Sequence, residues 1–424
     1  MGAPYKILGL NLTKPQFQDF ASSLDLHFSL NDDLSPLLSS YKLKSGTVLS
    51  NRFLVQPMEG FDALENGSPS RLTFRRYKRF AQGGSSVIWL EAVAISAKGR
   101  GHKGMLYLTS QNQEEFATLI DTIHEEGNGT RPFVVLQLHH SGRYGDFPAL
   151  VFNEEQLNRS VKNIKDAMLL TDKDLEKIKR DFISAGRLAE EVGVDAVDVK
   201  CCHGYLLYEL LQGRTRKGKY GGSYENRTRI IFEIIEELIT QVGIKCVVRM
   251  DGYTGVASPY GWGMDDRGSL TCDEQIRFAK DLALRGVDIV NVTNGSPHTM
   301  AYLSRPYNSK GEPPEHPLVS LNRMIQISKA IQKEVCEVGV VVSGFSSLRK
   351  VGLGVAARLI KDGDVSFIGY GRQSFANPNL PSVISNGEFS SFKEYCTCCD
   401  GCIELLESGR ATGCSVYDRV FYRR

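Results

Sequence analysis

"LEKIKRDFISAGRLAEEVGVDAVDVK", residues 175–200, decides the fold. Leu175, Ile178, Phe182, Ala185 and Ala189 recur at helical spacing, so the first two thirds predict a helix with one apolar face. Gly193 then marks a turn. Val197 and Val199 follow in a short run that suits a buried strand. The same unit of amphipathic helix, glycine-containing turn and short β-branched run recurs along the chain. It is seen in "RLTFRRYKRFAQGGSSVIWLEAVAI" (71–95), "FATLIDTIHEEGNGTRPFVVLQL" (116–138) and "IRFAKDLALRGVDIVNVT" (276–293), and again toward residues 245, 338 and 365. With the early run "RFLVQP" (52–57), strands are expected at about 53–57, 86–91, 133–138, 195–200, 245–250, 287–292, 338–343 and 365–370. Eight such units predict an α/β chain folded as a (β/α)8 TIM barrel, its parallel strands buried on both faces. A doubly wound sheet is the alternative. It usually has fewer strands and a glycine-rich first turn, and no GxGxxG follows the first strand here.

The bulk composition agrees with a large globule. Of 424 residues, 42% are hydrophobic and 24% charged, which suits an extensive core. A net charge of +2 gives no global electrostatic case for nucleic acid, and no Lys/Arg block is interleaved with aromatics. No stretch approaches a membrane span, and the first 40 residues carry no secretory pattern. The opening "MGAPYK" has Lys6 where a myristoylation signal needs Ser or Thr. A cytoplasmic protein without a membrane partner is the expectation. The pattern divides the chain into an N-terminal extension (1–35), a barrel (36–385) and a cysteine-rich C-terminal segment (386–424).

Barrel enzymes work at the C-terminal ends of their strands. Here those ends read "QPMEG", "LEAVA", "LQLHHSGR", "KCCHGY", "VRMDGY", "NVTNGS", "VSGF" and "GYGR". Nearly all are polar, glycine-rich or both. The seventh and eighth, "VVVSGF" (340–345) and "FIGYGRQ" (367–373), end in glycine, and the last adds Arg372. Backbone N–H groups can approach a ligand where no Cβ intervenes, and arginine offers a bidentate fork, so this pair favours a phosphate over two plain turns. The fourth end is unusual, with Lys200, Cys201, Cys202, His203, Gly204 and Tyr205 in succession.

Six segments, "NRFLVQPM" (51–58), "RYKRFAQGGSSVIWLEAVAIS" (76–96), "QLHHSGR" (137–143), "HGYLLYELL" (203–211), "YGGSYENRTR" (220–229) and "GYGRQSFANP" (369–378), resemble the old yellow enzyme family of FMN-dependent NADH:flavin oxidoreductases. They cover most of the chain in the family's order. The resemblance implies that Pro57, Met58 and Ala92 touch the isoalloxazine and that Gln137 bonds its pyrimidine edge. Arg249 would place positive charge beside N1 and O2 in a dry site. Gly344, Phe345, Gly371 and Arg372 would hold the phosphate. It further implies NAD(P)H as electron donor and a small unsaturated carbonyl or carboxylate compound as substrate. His203 would donate to the substrate carbonyl, and Tyr205 would protonate Cα after hydride reaches Cβ. Residue by residue, bland readings stand beside these: Gln137 as a polar strand end, Arg249 in a structural ion pair. Of His139 and His140, one is expected at the flavin edge and the other in a structural role. Ser223 reads as an N-cap of a helix over 224–240.

Two positions depart from the family pattern. Lys200 stands where a histidine is usual. A lysine still donates to an oxyanion, as a flexible charge rather than a planar neutral group, which shifts preference toward carboxylates or strongly polarised carbonyls. Pairing of Lys200 with a nearby acid is the competing reading. Glu59 stands where Thr or Cys is usual, either repelling negative charge on the cofactor or pairing with Lys200.

The tail "CTCCDGCIELLESGRATGC" (396–414) places Cys396, Cys399, Cys402 and Cys414 at x2, x2, x11 spacing. Such thiols hold an iron–sulfur cluster or zinc, or stay free. The longer relatives, similar to dienoyl-CoA reductase and trimethylamine dehydrogenase, carry a [4Fe–4S] cluster at x2, x3, x11. A cluster here would accept electrons from an external donor. Two other function classes stay open: a flavin-binding electron carrier without turnover of its own, and a Schiff-base lyase using Lys200. A homo-oligomer is left open too.

Overall fold

The computed structural model describes residues 12–265, 267–305 and 313–423. Lys6, read above against a myristoylation signal, lies outside them. Eight parallel strands form the expected closed barrel: β1 (Phe53–Val55), β2 (Val87–Ala94), β3 (Phe133–His139), β4 (Ala196–Val199), β5 (Lys245–Tyr253), β6 (Ile289–Asn294), β7 (Gly339–Ser343) and β8 (Phe367–Tyr370). Each pairs with its sequence neighbours. Ile368 opposite Phe53 and Leu54 opposite Val87 close the ring.

The helices between the strands are α1 (Arg71–Gln82), α2 (Gln113–Glu125), α3 (Asp172–Glu191), α4 (Tyr224–Glu237), α5 (Asp273–Leu284), α6 (Pro317–Glu334) and α7 (Arg349–Lys361). Their starts follow local chemistry. Ser70 and Thr171 close capping boxes on α1 and α3, and Ser223 caps α4 through the Asn226 N–H. Helix α4 ends at Glu237 and runs on as a π-turn to Val242, so the expected 224–240 helix changes type in its last turn. Three short helices follow β8: α8 (Arg372–Ala376), α9 (Leu380–Ser385) and α10 (Gly401–Glu407).

Alternation along the strands separates two cores. Inward side chains at the N-terminal end, among them Leu54, Val87, Trp89, Phe133, Val247, Ile289, Val341 and Phe367, fill the barrel. Leu43 and Leu49, beside a small hairpin (Tyr41–Lys42 with Val48–Leu49), plug that end from below. Outward side chains pack against the helices in a larger core. On one flank α6 and α7 are covered by an N-terminal helix, Lys14–Ser22, through Phe17 and Ala21.

One irregularity prepares the C-terminal end. The β2–β3 register slips between Trp89 and Ala92. A bulge re-aims side chains. Glu91 turns outward to α1, where it bonds Arg76 and Tyr77 and accepts the Gly60 N–H at 2.6 Å. Ala92 meanwhile faces the barrel mouth. The C-terminal tail lies over the same corner, with the Thr412 N–H donating to Gly60 O at 2.7 Å and Arg75 and Arg79 bonding Asp418.

Candidate active site

The C-terminal ends of the strands surround one cavity. Strand β1 delivers Gln56, Pro57, Met58 and Glu59 to its wall, β2 delivers Ala92, β3 Gln137, and β5 Arg249. Lys200, His203 and Tyr205 follow β4, while Ser343, Gly344, Ser346, Gly371 and Arg372 come from β7 and β8. The sequence-predicted residues thus converge, with Phe345, His139 and His140 as exceptions.

Asp198, buried on β4, organises the floor. It accepts hydrogen bonds from Trp89 Nε1 (3.0 Å), Gln137 Nε2 (2.6 Å) and the Arg249 backbone N–H (2.8 Å). Burial still pushes its carboxyl up to about 6. Gln137 is therefore clamped by its amide nitrogen while it borders the cavity. Arg249 is 8% exposed, and its Nη1 lies 3.5 Å from Pro57 O. Its Nε has no partner, and no carboxylate lies within ion-pair distance, among the described residues. The structural ion pair considered for Arg249 is not formed among the described residues. A buried arginine facing a cavity without an anion is the signature of a ligand-binding cation.

Lys200 is 7% exposed, and among the described residues no acid pairs with it either. Its Nζ sits 4.3 Å from the centroid of the Tyr205 ring, a cation–π contact. Burial lowers its pKa; the charge on Glu59, near but not bonded, partly offsets this. Glu59 instead meets His102 Nε2 at 3.1 Å, and His102 stacks on Phe61 at 3.8 Å. Of the two readings open for Glu59, the pair with Lys200 is not formed among the described residues, and the nearby partner is His102 from the loop after β2.

His203 adopts a left-handed backbone (φ 67°). Its N–H donates to Asp251 Oδ2 at 2.8 Å, and its Nε2 lies 3.1 Å from Thr293 Oγ1. The first, from the backbone N–H, fixes the turn, and the second fixes the ring. Burial holds its pKa well below the usual histidine value, so the ring is neutral. Tyr205 is raised above its ordinary value by burial and stays protonated. Its hydroxyl lies 3.3 Å from His298 Nε2, and His298 stacks on Tyr144 at 3.8 Å. His298, in the loop after β6, was not singled out from sequence; a histidine in a strand-end loop was the only signal. His139 packs edge-on against Tyr205 at 4.4 Å and bonds Ser141, and His140 Nδ1 accepts the Gly142 N–H. Neither is among the residues lining the cavity: His139 shares the Gln137 face of the strand but packs against Tyr205, and His140 lies on the other face at the turn to Gly142.

At the other end of the cavity the backbone is stripped. Gly344 has φ 99°, a conformation that disfavours a side chain. A Cβ on Gly371 would come 2.9 Å from Met58 Sδ. Arg372, its side chain 10% exposed, donates to Asp400 Oδ1 at 3.0 Å. Phe345 corrects the sequence reading: its ring is fully buried in the flanking core near Tyr370 and does not line the cavity. The turn at Gly344 sends it outward, and Ser343 and Ser346 take the wall positions. Bare glycines, serines and an arginine at one end, with Gln137 and unpaired Arg249 at the other, fit a phosphorylated flavin such as FMN.

The cysteine tail borders the same cavity through Cys402. Among the described residues, no three ligating groups are drawn together to hold a metal ion. Left-handed turns at Cys398 (φ 51°) and Asp400 (φ 53°) lie within the motif of Cys396, Cys399, Cys402 and Cys414 and set Cys398 beside Cys396. The Cys398 N–H meets Cys396 Sγ at 3.4 Å, and the Tyr417 N–H meets Cys414 Sγ at 3.4 Å.

The model of the NADH:flavin oxidoreductase / NADH oxidase family matches residues 36–389. An NADPH dehydrogenase of Listeria welshimeri is 30% identical over 267 residues, which are 62% of this chain and 74% of that protein. Among solved structures, the Old Yellow Enzyme from Pichia sp. AKU4542 superposes with a TM-score of 0.65 at 22% identity, covering 83% of this chain and 87% of that one. A 2-naphthoyl-CoA reductase complexed with 2-naphthoyl-CoA gives a TM-score of 0.76 at 20% identity over 92% of this chain. This chain spans only 58% of that longer protein.

Proposed function

The chain belongs to the NADH:flavin oxidoreductase / NADH oxidase family and is an FMN-dependent NAD(P)H oxidoreductase of the old yellow enzyme type; from that premise we propose that it reduces the activated C=C bond of a small molecule carrying a carboxylate or strongly polarised carbonyl. The observation that carries this is Lys200, a buried ammonium unpaired among the described residues, 4.3 Å from the Tyr205 ring.

Bound FMN would accept hydride from NAD(P)H and supply it to the substrate. The chain's residues do the rest. Pro57, Met58 and Ala92 form the apolar seat, Gln137 is held by Asp198 for the pyrimidine edge, and Arg249 keeps positive charge beside it. Gly344, Gly371 and Arg372 cradle the phosphate, with the Phe345 backbone beside them. Lys200 and His203 draw electron density toward the substrate's oxygen. Tyr205 Oη then delivers a proton to the carbon next to that carbonyl, and His298 at 3.3 Å orients the hydroxyl. Glu59, beside His102, tempers the positive field.

The finer reading of the tail is that Cys396, Cys399, Cys402 and Cys414, with Cys398 as substitute ligand, hold a [4Fe–4S] cluster or zinc. Its support is the motif and the N–H···S contacts, and no step is routed through it. An anaerobic visible spectrum of the purified protein, with iron and zinc assays on the same sample, tests both readings. Flavin bands are expected. A colourless protein that also refuses added FMN would sink the cofactor assignment, and metal well below one equivalent would sink the tail reading.

A further inference from the structure

Arg305 takes no part in the reading above, yet it borders the same cavity. It follows a one-turn helix, Ala301–Ser304, in the loop after β6. The described stretch of that loop before Arg305 is compact. Leu303 is fully buried against Gly255 and Gly295, and a Cβ on either glycine would meet Leu303 at 2.7 and 2.6 Å. The Met300 N–H donates to Ser296 O at 2.8 Å, and the Gly295 N–H to Tyr253 O at 2.7 Å. The guanidinium therefore leaves a firm base.

No counter-charge touches it among the described residues. Nε is buried without a partner, and no carboxylate of those residues lies within ion-pair distance. The charges around it at longer range include Asp400 and Glu407, but also a second cation, Arg372, which repels it. Asp400 already accepts from Arg372. Two arginines on the wall of one glycine- and serine-lined cavity, with Asp400 engaged by one of them, offer positive charge to an anion bound beside them. The same cavity wall carries Ser343, Gly344, Ser346 and Gly371, the residues assigned above to the phosphate.

We infer that Arg305 is a second guanidinium for the cofactor phosphate, reaching it from the β6 loop opposite Arg372. This rests on the FMN reading above. It makes the phosphate the clasp between β8 and a loop that also carries His298.

The test compares FMN with riboflavin, which lacks the phosphate, by fluorescence titration of the stripped protein, its Arg305→Ala and its Arg305→Lys variants. In Arg305→Ala the dissociation constant for FMN should rise about 30- to 100-fold, the loss of a charge-assisted bidentate contact, while that for riboflavin stays put. Arg305→Lys should keep part of the preference for FMN. An unchanged preference in Arg305→Ala, or equal loss for both ligands in both variants, would overturn the inference while leaving the FMN reading in place. Wild-type protein that takes up neither ligand would overturn both.

Discussion

The two ends of the barrel are built from the same strands and obey opposite rules. At the N-terminal end, Leu43, Leu49, Trp89, Val247 and Phe367 fill the interior, and the small hairpin seals it. At the C-terminal end, Lys200, Arg249 and Gln137 point inward around an open cavity. Between them lies a polar belt, where Gln56 and Asn291 bond each other reciprocally at 2.9–3.0 Å and Asp198 ties Trp89 below to Gln137 and Arg249 above. The apolar end supplies stability from burial alone. The rim holds buried charges that lower stability, and what it gains is a site already charged before a ligand arrives.

The contrast can be broken from below. Phe367→Ala removes a fully buried ring packed on Tyr41 and Gly339. It should cost about 3–5 kcal/mol in urea unfolding while leaving FMN affinity unchanged at temperatures where the variant is folded. A parallel loss of FMN binding would mean that the two ends are not separable.

It can be sharpened by pH. His140, buried beneath the rim, is held by desolvation at about 4. Its folded pKa therefore lies below the unfolded value of about 6.5. The unfolded chain takes up a proton that the folded chain refuses, so this histidine's penalty grows as pH falls from 6.5 and levels off below 4. His140→Asn keeps an acceptor for the Gly142 N–H and removes the titration. Across that window the wild type should lose up to about 3 kcal/mol relative to the variant, read as urea midpoints at several pH values. A constant difference would show that His140 titrates normally.

The smallest expected effect concerns specificity. Lys200→His restores the residue usual in the family at a position with no acidic partner among the described residues. The ratio of kcat/KM for an unsaturated carboxylate to that for a neutral enone should fall about tenfold, roughly 1.4 kcal/mol. An unchanged ratio would remove Lys200 from substrate recognition.

Most of the scaffold was legible in the chain. Period and punctuation placed all eight strands within a few residues, because strands buried on both faces read as short apolar runs between glycine turns. The strand ends were legible for the same reason: Pro57, Ala92, Gln137, Lys200 and Arg249 lie in a strand or within two residues of its end and inherit its direction. What failed depends on long loops or on backbone sign. Glu59 meets His102, which a loop after β2 brings back over the rim, and no local pattern encodes that return. Phe345 turns away because Gly344 is left-handed. His298 and Arg305 lie well beyond the end of β6, where alternation no longer tells in from out. Spacing also did not reveal the left-handed turns at Cys398 and Asp400.

The central claim, that the rim after β4 supplies the proton for reduction of the substrate, is tested most directly by Tyr205→Phe in stopped-flow half-reactions. Reduction of the bound flavin by NAD(P)H should proceed at the wild-type rate. Its reoxidation by an unsaturated carbonyl substrate should slow by about 10²–10⁴-fold, the usual worth of a positioned general acid. Equal slowing of both half-reactions, or of neither, would contradict the account.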